Sequence, residues 1–549
     1  MRTVIVGGVA AGMSAATRLR RLDEKMEIIV LDKGPYVSFA NCGLPYYIGG
    51  EIDAREKLIV QTPKRLEDRF QLDVRVEHEV VHIYSDKKEV VVLSKGKEEI
   101  ISYDKLILAP GATPIIPPIA GIEDSDNLFT LRSIPDVDKI MNFIEEKKPK
   151  KAVVIGAGFI GVETVENLTK KGIEVTIVEK ASHILPSVDQ EMAVFLEHEL
   201  KKNGVTLMCN IGVIAFGKHG KVVHLDNGEE IATDMIVLSV GVRPDTDMIK
   251  NSGITVSSRG GILVDENYET NIKDIYAVGD AIVVKQIQTG EDTMIALASP
   301  ANRQGRQVAD VIAGLTRINK GSLGTSIVRV FSQVMASTGL SENQLISLHK
   351  DYEAIHISGR NHASYFPNST DLFLKLLFDR KTGAIYGAQA LGKDGVDKRI
   401  DIISTAILGE LTVFDLPELE LTYAPPFGSA KDIVNMAGYA AMNIIEGISD
   451  TIQWHELRKL QESGGVVLDV RDEDEMQAGR LKGAMHIPLS ELRKHLHELP
   501  KEELIIVSCY SGLRSYLAER ILKQEGFHVR NLDGAFYLYS KVLPEEIEH

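Results

Sequence analysis

Two stretches of the chain, about 150 residues apart, each run an apolar strand into a glycine turn and a helix; no other feature limits the fold as much. The first is Arg2-Thr3-Val4-Ile5-Val6 followed by Gly7-Gly8-Val9-Ala10-Ala11-Gly12, and its second strand, from Glu27, ends in Asp32. The other is Ala152-Val153-Val154-Ile155 followed by Gly156-Ala157-Gly158-Phe159-Ile160-Gly161, with a second strand from Glu174 ending in Glu179. Glycines let the backbone approach a pyrophosphate, the helix N-terminus supplies amide donors, and the terminal acid suits a ribose diol. Val9 stands where the middle glycine is expected, so the first pattern is imperfect, whereas Gly156, Gly158 and Gly161 complete the second. An acid at 179 repels a 2′-phosphate and favours NADH over NADPH; the adjacent Lys180 works the other way. Two such units predict an α/β chain holding two dinucleotides.

Two strand-then-glycine connections, Asp104 to Ala112 and Asp234 to Pro244, each follow one unit as a weak internal repeat. Ile275-Tyr276-Ala277-Val278-Gly279-Asp280 comes next. Cys42 lies in Ser38-Phe39-Ala40-Asn41-Cys42-Gly43-Leu44-Pro45-Tyr46, and the other cysteines are Cys209 and Cys509. Cys42 therefore cannot close a local disulfide: it pairs with a thiol from outside or cycles through a sulfenic acid. Cys209, in Val205-Thr206-Leu207-Met208-Cys209, reads as an apolar strand residue. Three cysteines in 549 residues is the usage of a reducing compartment, and this length predicts three or four domains. A net charge of −16 argues against nucleic acid or an anionic membrane as partner. No long apolar run predicts a membrane span, and a strand beginning at residue 2 leaves no room for a leader. The expectation is a cytoplasmic protein.

Together these motifs resemble the two-dinucleotide-binding flavoprotein disulfide reductases. The resemblance covers residues 2–310 and implies FAD in the first unit and NAD(P)H in the second. It assigns Asp280 to the ribityl chain of FAD, and it places Lys33, Val80, Ala109 and Ala298 along the cofactor. Ser38 to Tyr46, Ser299 to Arg306 and Ala424 to Asp432 are similar to the single-cysteine branch. That branch holds coenzyme A disulfide reductases, persulfide reductases, NADH oxidases and NADH peroxidases. The resemblance implies a homodimer in which each dimerisation domain closes over the partner's active site. If Gly43 to Ile48 opens a helix, Cys42 sits at its positive end, which lowers a thiol pKa. Ser14, Arg18, Arg21, Ser38, Asn41, Asn302 and Lys431 match positions that contact coenzyme A. Arg18, Arg20 and Arg21 lie on one basic helix, and arginine binds phosphate as a fork. Phe70 departs from the pattern, since some members carry a basic residue there. Tyr365 and Tyr423 match tyrosines that reach the partner's cysteine, where a phenol can donate to a departing thiolate. Oxidases and peroxidases of the branch carry a histidine within the first glycine turn, where this chain has Ala10.

A different pattern restarts at Trp454. Val466-Val467-Leu468-Asp469-Val470-Arg471 is a strand carrying Asp-x-Arg, and Glu503 to Ser508 is a strand that ends beside Cys509. The loop Cys509-Tyr510-Ser511-Gly512-Leu513-Arg514-Ser515 then enters a helix. Amides curled around a sulfur form an anion nest, and Arg514 adds positive charge. This resembles a rhodanese domain with Cys509 as persulfide carrier; phosphatases, which share the loop logic, have a longer Cys-to-Arg spacing. The expected organisation is an FAD domain over 1–110 and 275–322, an NAD(P)H domain over 111–274 and a dimerisation domain over 323–445. A linker over 446–453 and a rhodanese domain over 454–549 follow. The expected activity is NAD(P)H-dependent reduction of coenzyme A persulfide, polysulfide or disulfide, or of other small persulfides. Cys42 acts as redox centre and Cys509 delivers sulfane sulfur, with coenzyme A as substrate or bound ligand. The rivals are an NADH oxidase or peroxidase cycling through a Cys42 sulfenic acid, and a sulfur carrier or sensor.

Overall fold

The computed structural model describes residues 1–549, which form two compact units. The first comprises Met1–Ser182 and Gly204–Gly324; the second comprises His183–Asn203 and Thr325–His549.

The first unit holds two parallel five-stranded sheets. In one, Arg2–Val6 lies between Glu27–Leu31 and Lys105–Leu108, with Asp73–Arg75 and Ile275–Ala277 at the edges. In the other, Lys151–Ile155 lies between Glu174–Val178 and Met235–Leu238, with Thr206–Met208 and Leu128–Thr130 outside. A parallel sheet covered on both faces needs apolar residues at consecutive positions; Val4, Ile5, Val153 and Val154 are accordingly buried. Helix Ala10–Leu22 follows the first strand and Phe159–Lys170 the corresponding strand of the second sheet. The glycine turns are dictated first by packing. Gly7 has φ +95°, and a Cβ there would fall 2.0 Å from the carbonyl oxygen of Ala109. A Cβ on Gly12 would lie 1.8 Å from the oxygen of Gly7, and one on Gly161 2.0 Å from that of Gly156. No side chain fits such gaps.

The second unit holds an antiparallel sheet ordered Ser326–Val330, Gln333–Gly339, Ile385–Gly392, Asp371–Phe378, Glu353–Arg360. Helices Val396–Leu408 and Ile433–Ile445 pack on it. A parallel sheet follows, ordered Thr451–Ile452, His528–Leu532, Leu504–Ser508, Val466–Asp469, Met485–His486. Helix Gln190–Lys202 also belongs to this unit, although its sequence lies inside the expected 111–274 domain. Its Phe195 packs 5.4 Å from Phe373 of the antiparallel sheet and 5.3 Å from Tyr537 of the C-terminal module, centroid to centroid. Lys375, with no exposed surface, bonds Asp189 at 2.8 Å and also Glu191 and Glu342. Burial penalises its charge, but the three carboxylates outweigh that and push the ammonium up from its ordinary value.

Two expectations need correction. The segment 446–453 is not a free linker: Ser449 and the amide of Asp450 bond Glu519, and Thr451–Ile452 adds a strand beside His528–Leu532. Cys209 lies just past the end of strand Thr206–Met208 and is half-buried. No helix is long and apolar enough to cross a membrane.

Candidate active sites

The acid ending each second strand is used in the same way in both nucleotide units. Asp32 accepts from the amides of Gly8 and Gly34, both at 2.8 Å. Glu179 accepts from the amides of Ala157, at 2.6 Å, and Ala181, at 2.8 Å. Each carboxylate thus clasps the second residue of the glycine turn and the residue two places beyond itself. Burial pushes Asp32 above its ordinary pKa, against the pull of the two amides. The amides of the first helical turn have no intrahelical acceptor and remain to bind an anion. Above the second turn there is room for one: a Cβ on Gly158 would meet nothing within 4 Å.

Gly279 and Asp280 open a short turn, Gly279–Ala281, whose first amide donates to buried Gln304 at 2.7 Å. The Asp280 carboxylate accepts from Arg132 at 2.8 Å. The residues present therefore fit dinucleotides: two amide-lined turns, each with an acid at the end of its second strand, and a polar turn at 279–281. Of the other positions expected along the first cofactor, Val80 is buried, Ala109 half-buried and Ala298 exposed at the start of helix Ala298–Ile312. Lys33 pairs with Asp245 at 2.5 Å.

Cys42 lies in a single turn, Asn41–Gly43, directly before helix Leu44–Gly49, as expected. Its amide donates to the Asn41 side chain at 3.0 Å, and its thiol lies 3.7 Å from the same oxygen. The residue is exposed, yet the groups around the sulfur raise its pKa rather than lower it. Desolvation of the sulfur contributes most, then Glu163; Arg132 opposes them and Asp280 adds to them. The polypeptide alone therefore does not make the low-pKa thiol expected from the helix start. Glu163 accepts from Tyr46 at 2.9 Å, so its charge is held in place. Arg132 and Glu163 are the residues that sequence reasoning missed. Neither belongs to a motif, and only the fold brings them to Cys42.

Of the residues expected at coenzyme A, Ser14 and Asn302 touch. Ser14 donates to Asn302 at 2.6 Å across the contact between helices Ala10–Leu22 and Ala298–Ile312. Arg18, one turn on, pairs with Asp310 at 2.6 Å. Arg21 bonds back to the Thr17 carbonyl at 3.0 Å. Arg20 must be removed from the basic cluster: it is buried and donates to the carbonyls of Phe70, Gln71, Asp23 and Glu24. Ser38 is held at φ +46°, its amide on the Gly8 carbonyl at 2.8 Å. In the second unit Lys431 is exposed, and the phenols of Tyr365 and Tyr423 bond each other at 3.0 Å on an open surface. Tyr423 lines a recess of about 300 Å³ with Lys398, Thr422, Ala424 and Phe427.

Residues 1–305 match the family described as pyridine nucleotide-disulphide oxidoreductase, and residues 325–432 match its dimerisation domain. The chain belongs to this family. It uses FAD and NAD(H), which the two turns above fit. Residues 453–541 match the rhodanese-like domain. A coenzyme A disulfide reductase of Staphylococcus haemolyticus is 36% identical over 446 residues, covering 81% of this chain and all of that enzyme. The structure of reduced Bacillus anthracis CoADR-RHD is 51% identical with a TM-score of 0.98, covering 100% of this chain and 99% of that one. An NAD-dependent persulfide reductase from A. fulgidus is 36% identical with a TM-score of 0.93, covering 98% of this chain and 100% of that one.

In the rhodanese-like domain, Cys509 follows strand Leu504–Ser508 and is buried. Its sulfur accepts from the Gly512 amide at 3.1 Å and lies 3.4 Å from the Ser515 hydroxyl. Gly512, at φ +108°, turns that amide inward. Asp469 and Arg471 are both buried and paired at 2.7 Å, and the guanidinium lies 3.9 Å from the centre of the Phe536 ring. They are a structural pair. Glu475 holds Arg514 at two points and Asp472 at 2.9 Å; the pairing with Glu475 raises its pKa, and its charge also acts on Cys509.

Proposed function

We propose that this chain is an NAD(P)H-dependent reductase of coenzyme A persulfide, polysulfide or disulfide, in which Cys42 is the redox centre and Cys509 delivers sulfane sulfur. The observation that carries this reading is the presence, on one chain, of a free thiol within electrostatic reach of Asp280 and a second free thiol in an amide-lined rhodanese loop. Similarity to a coenzyme A disulfide reductase and to an NAD-dependent persulfide reductase supports it. FAD held at the first turn would supply two-electron transfer from NADH.

The chain's own residues do the rest. The Cys42 thiolate attacks one sulfur of the substrate, forming a Cys42–S bond and expelling the other sulfur as a thiolate or hydrosulfide. Two electrons and a proton then cleave the Cys42–S bond, release the bound sulfur and restore the Cys42 thiolate. Arg132 favours that thiolate and Glu163 opposes it. Ser14, Arg18, Arg21, Ser38, Asn41, Asn302 and Lys431 bind coenzyme A. Tyr365 and Tyr423 donate to the departing sulfur across a homodimer. Their exposure, with Phe427 71% exposed nearby in sequence, fits a surface covered by a second copy. Free thiols fit a cytoplasmic setting.

The test is anaerobic NADH oxidation with coenzyme A persulfide, glutathione persulfide and coenzyme A disulfide in the parent, Cys42→Ser and Cys509→Ser proteins. Turnover lost in Cys42→Ser, with persulfides faster than the disulfide, is the expected result. Full turnover of every sulfur substrate by Cys42→Ser would overturn the reading.

A further inference from the structure

Asp533 is an anchoring point between the antiparallel sheet and the rhodanese loop. Its carboxylate accepts from the His356 amide at 3.0 Å, from His356 Nδ1 at 2.6 Å and from Gln453 at 3.2 Å. Its own amide donates to the Ile452 carbonyl at 3.0 Å. The next two residues, Gly534 and Ala535, are left-handed at φ +69° and +49°, a region that alanine seldom occupies unless its neighbours hold it there. Directly beyond them, the Phe536 amide donates to the Cys509 carbonyl at 3.0 Å and the Tyr537 amide to the Tyr510 carbonyl at 2.8 Å. A second route runs through rings: His356 stacks on Phe373 at 5.6 Å, Phe373 meets Tyr537 at 5.4 Å, and Tyr537 meets Tyr510 at 5.8 Å.

We propose that His356 is a positioning residue for sulfur transfer at Cys509. The sheet holds Asp533, Asp533 holds the left-handed pair, and that pair presents the amides that fix the Cys509–Tyr510 backbone. The proposal rests on the reading of Cys509 as the sulfur carrier.

The charge on His356 is central to it. The groups facing the imidazole are Asp533 from the rhodanese-like domain, Glu191 at 3.4 Å from helix Gln190–Lys202, and Lys375 from the neighbouring strand. Asp189 and Glu342 bind Lys375 from behind. Burial alone would push His356 down, but Asp533 and Glu191 outweigh it and hold the imidazole up to about 9. A raised pKa means that the ion pair in the anchor is complete below the ordinary histidine value and is lost as pH rises through about 9, while the bonds from the His356 amide and Gln453 remain. Glu191 keeps Lys375 as a partner throughout. Asp533 is the carboxylate that loses its cation.

The test uses the full-length Cys42→Ser protein with glutathione persulfide as donor and cyanide as acceptor. Cys509 thiolate attacks the sulfane sulfur and glutathione thiolate leaves; cyanide then takes the sulfur as thiocyanate and restores the thiolate. His356→Asn and Asp533→Asn are each compared with their parent between about pH 7 and pH 10, as a ratio of rates in which the titration of cyanide and thiol cancels. The expected ratio is about 10-fold in favour of the parent near neutrality, the size of effect seen when supporting contacts are removed from a site. It should fall towards equality at the alkaline end. In proteins with Cys42 intact, both variants should keep NADH-dependent disulfide reduction, which separates a local effect from misfolding. A ratio near one throughout, or a deficit that does not change with pH, would overturn the proposal. Thiocyanate formation that survives Cys509→Ser would instead refute the carrier reading.

Discussion

Gly305→Ala tests the helix contact that frames the proposed coenzyme A face. Gly305 lies in helix Ala298–Ile312, where a Cβ would fall 2.1 Å from the carbonyl oxygen of Ala11 on helix Ala10–Leu22. Ordinary contact begins near 3.4 Å, so the helices must part by about 1.3 Å, the difference between 3.4 and 2.1 Å. Alanine gains about 1 kcal/mol of helix propensity over glycine. The obstacle, however, is backbone on both sides, and overpacking of this kind costs about 1–3 kcal/mol. The clash wins, and the protein should lose stability on balance. The functional effect should be larger. Ser14 and Asn302 bond at 2.6 Å across this contact, and opening it by the same distance breaks the bond. A displacement near 1 Å at a positioning contact costs about 100-fold in rate. Steady-state kinetics with coenzyme A disulfide should show that loss in kcat/KM. Unchanged kcat/KM and an unchanged melting temperature would refute the claim that close approach at Gly305 sets this face.

Three other outcomes are expected. Lys375→Met leaves Asp189, Glu191 and Glu342 without their cation and should cost about 3–5 kcal/mol in thermal or urea unfolding of the second unit. Because Lys375 holds Glu191 below its ordinary pKa, the acids protonate more readily in the variant; its deficit should therefore shrink as pH falls from about 8 to about 5. Glu163→Gln should lower the Cys42 pKa and speed its alkylation by iodoacetamide at neutral pH, whereas Arg132→Gln should slow it; equal rates in both would refute the charge assignment. Glu475→Gln removes the main partner of Arg514 and should raise sulfur uptake at Cys509 from thiosulfate, an anionic donor, measured as thiocyanate formation.

The parts legible in the sequence are those whose chemistry is local in the chain. The turns at 7–12 and 156–161 were readable because Gly7, Gly12, Gly156 and Gly161 are needed whether or not a ligand binds: the strand-to-helix contacts leave no space for a Cβ at those four. Asp32 and Glu179 were readable for a similar reason, since each bonds an amide of the turn that identifies it. Cys509 and Gly512 fall within one short loop, so the residues marking the loop also build it. The sequence said less about side chains that act across the fold. Arg20 resembles its neighbours Arg18 and Arg21, but helical rotation turns it inward against four carbonyls. Arg514 has the right spacing for an anion loop, but its pairing with two acids outside that loop, Asp472 and Glu475, has no local pattern. The surroundings of Cys42 come from residues more than 85 positions away, and no local pattern encodes the sum of their charges. The segment 446–453 carries linker-like residues because its partners are distant in the chain: Ser449 bonds Glu519, Asp450 pairs with Arg530, Gln453 bonds Asp533 and Ile452 is buried.

Helix Gln190–Lys202 gives synthesis a direction. It emerges about 130 residues before the first strand of the sheet that buries it, yet Met192, Phe195, Leu196 and Leu200 are all interior in the finished unit. During translation this apolar face must wait through the remainder of the first unit, open to whatever else would cover it. A fragment ending before residue 325 would carry the same face without its sheet. Cutting the chain at the boundary between family domains should therefore yield an aggregation-prone N-terminal piece rather than a soluble flavoprotein. A cleaner division would also remove 183–203, joining Ser182 to Gly204. The second unit, for its part, would need that helix returned to it, as a separate peptide or by fusion, before its antiparallel sheet could close.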